Sequence, residues 1–130
     1  MPEYELKDKL SFLIAEDNNI NLFFLKTLIK MNYPQALIYE AETGDKVIEL
    51  LNENINLLFL DLSLPEKDGY EIVKYMKAVE KLKNIPIIIL TATDCKKAES
   101  RLNNYGIKTY IRKPASKEII LDAINKYLVK

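Results

Sequence analysis

A chain of 130 residues with 19 basic and 19 acidic side chains has room for one ordinary core and carries no net charge. That balance gives no electrostatic basis for direct nucleic-acid binding or for an anionic membrane surface. The absence of histidine excludes imidazole chemistry, and the single Cys95 cannot form an internal disulfide. Without a long apolar run or a signal peptide, we expect a soluble cytoplasmic protein or a piece of a longer one.

Five short apolar runs along the chain predict β-strands. They are LSFLIA (10–15), ALIYEA (36–41), INLLFL (55–60), IPIIIL (85–90) and IKTYI (107–111). Most of these runs do not alternate apolar with polar residues. Continuous apolar runs are typical of strands that are covered on both faces, as in a parallel sheet.

Helical patterns separate the strands and follow the last one. We expect the first helix to face the core with one stripe, formed by Ile20, Phe23, Phe24, Thr27, Leu28 and Met31. The later helices begin at polar capping residues: Thr43, Asp68 with Glu71 at capping-box spacing, Asp94 and Ser116. Gly106 stands where the fourth helix should stop and where a left-handed residue is needed.

The alternation of strands and helices is (βα)₅, which predicts an α/β fold with a doubly wound, five-stranded parallel sheet. The common strand order for five such strands is 2-1-3-4-5, as in the flavodoxin-like and receiver folds. We predict one domain over residues 10–130, preceded by a short N-terminal arm at residues 1–9. Neither an internal repeat nor a linker interrupts the pattern.

Polar residues stand where four of the predicted strands end. Glu16 and Asp17 follow the first strand, Asp61 follows the third, Thr91 ends the fourth and Lys113 ends the fifth. Ligands of doubly wound sheets bind at the carboxyl ends of the strands, where the strand order reverses. Because neighbouring strands are about 4.8 Å apart, the three carboxylates should converge on one crevice.

Converging carboxylates need a neutralising partner. At an effective dielectric near 20, they repel one another by a few kcal/mol, so either one is protonated or a cation lies among them. Three acids and one lysine leave a charge of about minus two, which a hard divalent cation such as Mg²⁺ would neutralise. Taken singly, such acids are often solvated caps or turn residues, but their joint placement indicates a site.

The segments that contain these residues resemble the receiver domain of two-component response regulators, over about residues 10 to 129. AEDNNIN (15–21) is similar to the acidic-pair segment, particularly as found in receivers of hybrid histidine kinases. LLFLDLSLPEKDGYE (57–71) is similar to the phosphoacceptor segment, with Asp61, Pro65 and Gly69 at family spacing. IIILTAT (87–93) and TYIRKP (109–114) are similar to the hydroxyl and lysine segments.

The resemblance implies a phosphorelay role, in which Asp61 is the nucleophile. It would take a phosphoryl group from a phosphohistidine of a histidine kinase or a histidine phosphotransfer protein. Mg²⁺, or Mn²⁺, would be held by Asp17, Asp61 and the backbone carbonyl of Ser63, with Glu16 acting mainly through bound water. Lys113 would offset charge on the transferring oxygens.

The resemblance also implies how the product is held and sensed. The backbone N–H of Ala92 and the hydroxyl of Thr91 would hold the phosphoryl group, and the bond from Lys113 to Pro114 would be cis. Thr91 would move toward that group and Tyr110 would swing inward, which changes the surface of the fourth helix, fifth strand and fifth helix. Plain packing of Tyr110 is the alternative. Ser63 and Thr93 would flank the group and influence its hydrolysis.

Such a domain would assist its own phosphorylation and dephosphorylation without being a conventional multiple-turnover enzyme. It would be a monomer or a weak phosphorylation-dependent dimer, either free-standing or excised from a hybrid kinase.

Three other functions remain open. A flavodoxin-like electron carrier would need a phosphate-binding loop where AEDNN stands. An aspartyl-phosphate hydrolase would usually carry D-x-D after its first strand. A phosphorylation-independent interaction module would not need the complete residue set.

Overall fold

Strands and helices alternate throughout residues 10–128, the part of the chain that the computed structural model describes. The elements are β1 (Ser11–Ala15), α1 (Asn19–Asn32), β2 (Leu37–Ala41), α2 (Gly44–Leu50), β3 (Leu57–Asp61), α3 (Gly69–Lys77), β4 (Ile87–Thr91), α4 (Cys95–Leu102), a 3₁₀ turn (Asn103–Tyr105), β5 (Thr109–Arg112) and α5 (Lys117–Leu128). The predicted N-terminal arm and the last two residues of the predicted domain lie outside the described range.

The sheet has the predicted order, β2-β1-β3-β4-β5, and every neighbouring pair of strands is parallel. Ala15 pairs with Leu60, Asp61 pairs with Leu90, and Thr91 pairs with Arg112. The carboxyl ends of β1, β3, β4 and β5 therefore lie along one edge of the sheet. No helix within residues 10–128 is long and apolar enough to span a membrane.

Apolar side chains fill both faces of the sheet. One layer packs under α2, α3 and α4 and includes Leu13, Leu60, Ile72, Met76 and Ile89. The other packs under α1 and α5 and includes Phe12, Ile14, Phe59, Ile88 and Ile124. The strands β1, β3 and β4 are buried along their whole length, which explains their continuous apolar runs. In β2, an edge strand, only Ala41 is buried.

The last three strands begin two residues later than the apolar runs predicted. Ile55, Ile85 and Ile107 are buried apolar residues, yet each lies in the connection before its strand. Burial therefore extends beyond the ladder of backbone hydrogen bonds, and hydrophobicity alone does not locate a strand end. Asp61 is the last residue of β3, whereas the apolar run predicted that it follows the strand.

The predicted core stripe of α1 is wrong. Ile20, Phe23 and Met31 are 80%, 68% and 74% exposed, and Phe24 is 41% exposed. The residues that α1 buries are Leu22, Leu25, Leu28 and Ile29, so only Leu28 of the predicted stripe belongs to the core. The helix carries two apolar series at helical spacing, and a periodic pattern does not indicate which of them meets the sheet.

Polar contacts at the start and in the middle of α1 are consistent with its observed orientation. The Asn18 side chain accepts a hydrogen bond from the Asn21 backbone N–H at 2.9 Å and caps the start of the helix. Farther along, Lys26 forms an ion pair with Glu40 of β2 at 2.6 Å. These contacts accompany the burial of the Leu25 face and leave the Phe23 face exposed.

The predicted helix ends are confirmed. Side-chain caps are present at Thr43, Asp68 and Asp94, and Asp68 forms the full capping box with Glu71. Ser116 accepts a hydrogen bond from the Ile119 backbone N–H at 3.3 Å. Gly106 has φ = 80°, in the left-handed region, at the end of the 3₁₀ turn that extends α4.

Candidate functional site

Three carboxylates meet at the carboxyl edge of the sheet. Glu16 follows β1, and its backbone N–H donates to the Ala41 carbonyl at 3.0 Å, which extends the ladder past the strand end. Glu16 is fully buried and Asp61 is 2% exposed, while Asp17 is exposed. One oxygen from each of Glu16, Asp17 and Asp61 lies within 4.8 Å of the other two. The predicted convergence of acids from two strand ends is therefore present.

Lys113 bridges two of these acids. Its Nζ lies 3.0 Å from Asp61 Oδ2 and 3.2 Å from Glu16 Oε1. Its backbone N–H donates to the Thr91 carbonyl at 2.7 Å, which carries the pairing of β5 with β4 one residue beyond Arg112. The bond to Pro114 is cis, as expected. The lysine therefore reaches across the end of β4 to the acids that follow β1 and β3.

Burial and mutual charge shift the pKa values of Glu16 and Lys113. Burial raises the pKa of Glu16, and the charge of Asp61 raises it further, against the lowering effects of the Asn18 N–H and Lys113. Burial alone would lower the pKa of Lys113, but its hydrogen bond with Asp61 and the charges of Asp61 and Glu16 raise it overall. Lys113 is therefore fully protonated at neutral pH.

The loop after β3 is held closely against α3. The Ser63 backbone N–H donates to Asp61 Oδ1 at 3.0 Å, and the Gly69 N–H donates to the Leu62 carbonyl at 3.1 Å. A Cβ atom at Gly69 would lie 2.8 Å from Leu62 Cα and 3.1 Å from the Asp61 carbonyl oxygen. Only glycine allows α3 to begin this close to Asp61, so the loop and the helix position the carboxylate together.

A cleft of about 420 Å³ opens above the carboxylates. Its lining residues are Glu16, Asp17, Asn18, Asn21, Asp61, Ser63, Ala92, Lys113 and Pro114. Asn18 and Asn21 were not among the predicted site residues, although both stand within four positions of the acidic pair. The Asn18 N–H donates to Glu16 Oε2 at 3.1 Å and so helps to orient that acid.

Two of the predicted site residues are not among those that line this cleft. Thr91 is 4% exposed, and its Oγ1 accepts from the Thr93 backbone N–H and lies 3.1 Å from Thr93 Oγ1. Tyr110 is half-buried in β5, where its hydroxyl donates to the Ile107 carbonyl at 3.1 Å. Burial, with smaller effects from Glu99 and two neighbouring tyrosines, raises the pKa of Tyr110 to about 12.

An apolar groove lies beside the acidic cleft, between α1 and α5. Its upper part, about 290 Å³, is lined by Ile20, Phe24, Pro114, Ala115 and Ile120 together with Glu16 and Lys113. Phe24 also lines a second depression, of about 380 Å³, which continues along α1 to Met31 and Asn32. We call the two depressions together the α1 groove. It shares Glu16, Lys113, Asn21 and Pro114 with the acidic cleft.

The donor set fits a hard divalent cation. Glu16, Asp17 and Asp61 offer carboxylate oxygens, and Ser63 lines the same cleft. Oxygen ligands with a net negative charge are those that Mg²⁺ and Mn²⁺ prefer. The ion pairs of Lys113 compensate part of that negative charge, so lysine and cation would share Glu16 and Asp61.

Comparisons with known proteins identify the class to which this fold and site belong. The family model described as the response regulator receiver domain matches residues 12–125. The chain therefore belongs to the receiver domain family of two-component response regulators. It is 33% identical over 119 residues to the polar-differentiation response regulator DivK of Brucella ovis, a match that covers 91% of this chain and 95% of DivK. The corresponding protein of Brucella anthropi is 32% identical over the same length.

Solved structures share the fold at lower identity. The Mn²⁺-bound form of response regulator Rcp1 is 20% identical, with a TM-score of 0.80 over 93% of this chain and 96% of that one. The receiver domain of sensor histidine kinase PA1611 from Pseudomonas aeruginosa is also 20% identical, with a TM-score of 0.79 over 94% of this chain and 99% of that one. That structure has a magnesium ion coordinated in its active site cleft.

Proposed function

We propose that this receiver domain, over residues 10–130, accepts a phosphoryl group on Asp61 from a phosphohistidine of a histidine kinase or a histidine phosphotransfer protein. One observation supports this proposal above the others. Acids from the ends of two strands converge with a single lysine on one cleft, and Asp61 is the acid that Lys113 approaches most closely, at 3.0 Å. The Ser63 N–H also donates a hydrogen bond to Asp61 Oδ1, which helps to fix the orientation of the carboxylate.

In the proposed reaction, an Asp61 oxygen attacks phosphorus, and the bond from phosphorus to the donor imidazole nitrogen breaks. The electron pair of that bond leaves with the imidazole, so no acid or base from this chain is required at the nucleophile. Glu16, Asp17, Asp61 and the Ser63 carbonyl would hold Mg²⁺ or Mn²⁺, which supplies charge neutralisation to the transferring oxygens when bound. Lys113 supplies a second, permanent positive charge. It contacts Asp61 Oδ2, whereas the Ser63 N–H donates to Oδ1.

The phosphoryl group would be held by Lys113, by the Ala92 backbone N–H and by the Thr91 hydroxyl. Ala92 lines the cleft, and Lys113 already contacts Asp61. Thr91 has to turn away from Thr93 to take part. We propose that this turn frees space for Tyr110 to move inward, so that the surface of α4, β5 and α5 changes its preference among partners. The half-buried position of Tyr110 and its single hydroxyl bond to Ile107 are compatible with such a movement.

The α1 groove is the docking surface that we propose for the phosphodonor. Four of the eight large hydrophobic side chains that are exposed within residues 10–128 lie on α1: Ile20, Phe23, Phe24 and Met31. Three of them, Ile20, Phe24 and Met31, line the α1 groove, and exposed apolar residues gathered in this way are typical of a protein interface. A donor histidine must reach Asp61, and the groove shares Glu16 and Lys113 with that site. The fitting partner is a helix with an apolar stripe that runs along α1 and brings its histidine to the cleft.

Labelling by acetyl phosphate tests the phosphoacceptor. We expect labelling of the wild-type chain that requires Mg²⁺, and no labelling of Asp61→Asn, because an amide is not nucleophilic toward phosphorus. Asp122→Asn, a change of the same type on α5, is the control and should label normally. Labelling that persists in Asp61→Asn would refute the assignment. An unlabelled wild-type chain would favour the interaction module, and continuous turnover of phosphate esters would favour the hydrolase.

Phosphotransfer from a protein donor tests the docking surface separately. We would use a phosphorylated histidine phosphotransfer domain that labels the wild-type chain. Phe24→Lys should slow that transfer by about tenfold or more, the effect of losing one well-packed interface side chain. Its labelling by acetyl phosphate should stay unchanged. Leu37→Lys, which alters an exposed apolar residue on β2 away from the groove, is the control. Equal rates for the two variants would contradict the docking proposal.

A further inference from the structure

The hydroxyl of Thr91 is engaged with a neighbour two residues along the chain. Thr91 Oγ1 accepts a hydrogen bond from the Thr93 backbone N–H at 3.1 Å, and the two threonine hydroxyls lie 3.1 Å apart. Thr91 is 4% exposed, whereas Thr93 is exposed. The exposed residue therefore supplies the hydrogen-bond partners of the buried one.

From this arrangement we infer that Thr93 is a positioning residue that holds the Thr91 hydroxyl in its resting orientation and so opposes binding of a phosphoryl group at Asp61. This inference rests on the proposed function, and it gives Thr93 a role in holding the Thr91 hydroxyl. Thr93 acts through Thr91, not on the reacting atoms.

The resting contacts of Thr91 compete with a contact to a phosphoryl group. Thr91 does not line the cleft that contains Asp61, so its hydroxyl has to turn away from Thr93 to reach a phosphoryl oxygen, and that turn breaks both contacts with Thr93. A buried hydroxyl without a partner is costly, and no buried side-chain oxygen or nitrogen within residues 10–128 lacks one. Thr93 therefore supplies the hydrogen-bond partner of the Thr91 hydroxyl in the resting state, and a phosphoryl oxygen takes its place after phosphorylation.

The exchange of partners predicts the direction of a mutational effect. Thr93→Val keeps the branched shape and the backbone N–H but removes the competing hydroxyl. The resting orientation of Thr91 then loses one hydrogen bond, while the bond to a phosphoryl oxygen is unaffected. We expect affinity for a phosphoryl mimic to rise by about threefold, the lower part of the range for one net hydrogen bond, because water competes at exposed Thr93.

Beryllofluoride, which binds a carboxylate as a stable mimic of the phosphoryl group, separates binding from hydrolysis. The affinity of the full chain for beryllofluoride at saturating Mg²⁺ would be measured by NMR titration for the wild type, Thr93→Val and Thr93→Ser. We expect Thr93→Val to bind about threefold more tightly and Thr93→Ser, which keeps the hydroxyl, to match the wild type. The affinity for Mg²⁺ alone should be the same in all three, because Thr93 does not contact the carboxylates.

Several results would overturn the inference. Unchanged or weaker beryllofluoride binding by Thr93→Val would show that the hydroxyl does not oppose the bound state. An equal gain in Thr93→Ser would assign the effect to the methyl group, and an equal gain in Mg²⁺ affinity would assign it to the metal site. A wild-type chain that fails to bind beryllofluoride would reject the proposed function together with this inference. Wild-type binding without a difference among the variants rejects the inference alone.

Discussion

Replacing Lys113 with methionine removes the cation that two buried carboxylates share. At an effective dielectric near 20, the contacts of its Nζ with Asp61 at 3.0 Å and Glu16 at 3.2 Å are each worth about 5 kcal/mol of gross attraction. Oxygens of the two acids lie within 4.8 Å of one another, and at the same dielectric their repulsion is at least about 3 kcal/mol. Methionine keeps the length and apolar stem of lysine, so the substitution removes the charge with little change in shape.

The loss of stability in Lys113→Met is limited by proton uptake. Breaking a buried ion pair typically costs about 3–5 kcal/mol, and we expect about 3 kcal/mol at pH 8 without divalent cations. The pKa of Glu16 is already raised, and Lys113 is one of the groups that lower it, so the variant raises it further. Between the unfolded and folded pKa values of Glu16, the native variant binds more protons than the unfolded chain. Its stability therefore falls as pH rises, by up to about 1.4 kcal/mol per pH unit.

The wild-type contribution of Lys113 behaves differently. Its pKa is raised by the two acids, so its stabilising effect is fully present below the unfolded pKa of lysine and is lost only as pH rises through the higher folded value. Between pH 5 and pH 8 the lysine therefore stays charged. The difference in the free energy of unfolding between variant and wild type therefore depends on pH through the protonation of Glu16.

Urea unfolding at pH 6 and pH 8, with and without Mg²⁺, measures this effect. The loss in Lys113→Met should be larger at pH 8, and saturating Mg²⁺ should restore part of it, because the cation replaces the missing charge. Lys46→Met, at an exposed lysine paired with Glu49 at 3.3 Å, is the control and should change stability by less than about 0.5 kcal/mol. A loss in Lys113→Met that is equally small, or independent of both pH and Mg²⁺, would mean that Lys113 does not neutralise the two carboxylates.

Five further substitutions test the fold, all by urea unfolding. Phe23→Lys on the exposed face of α1 should change the free energy of unfolding by less than about 0.5 kcal/mol. Leu25→Ala on the buried face should cost about 2–5 kcal/mol. Equal losses would mean that α1 is rotated about its axis. Gly44→Ala should cost about 2–3 kcal/mol, because its Cβ would overlap the backbone carbonyl oxygen of Lys67. Gly106→Ala meets no atom within 4 Å and should cost only about 1 kcal/mol through its φ of 80°, so the reverse order would contradict the packing. Asp68→Ala should cost about 1 kcal/mol through loss of the capping box, and an unchanged midpoint would argue against that cap.

The predictions that proved right depend on local chemistry and on the geometry of parallel sheets. Runs such as LLFL before Asp61 are apolar throughout because both faces of a central strand are covered. The carboxyl ends of parallel strands share one edge, so the acids after β1 and β3 could be placed together before any contact was known. The caps at Thr43 and Asp68 were predictable for the same reason, since they involve residues three positions apart.

The predictions that failed depend on which surfaces meet. The sequence of α1 contains two apolar series, and periodicity treats the Phe23 face and the Leu25 face alike. The exposure of Leu37 and Tyr39 was not predicted at all, because it follows from the place of β2 at the edge of the sheet. Burial at such positions is a property of long-range packing, which a local pattern does not contain.

The order of the elements, the helix caps and most residues of the acidic cleft follow from the sequence alone, because apolar runs and capping residues act over a few positions and the carboxyl ends of parallel strands share one edge. Packing of the whole chain sets how Lys113 divides its contacts between Glu16 and Asp61, which face of α1 is exposed, and how Thr91 contacts Thr93. Each of these depends on distances of a few tenths of an ångström or on rotation of a whole helix. Those quantities are set when all elements pack at once, so no single segment specifies them.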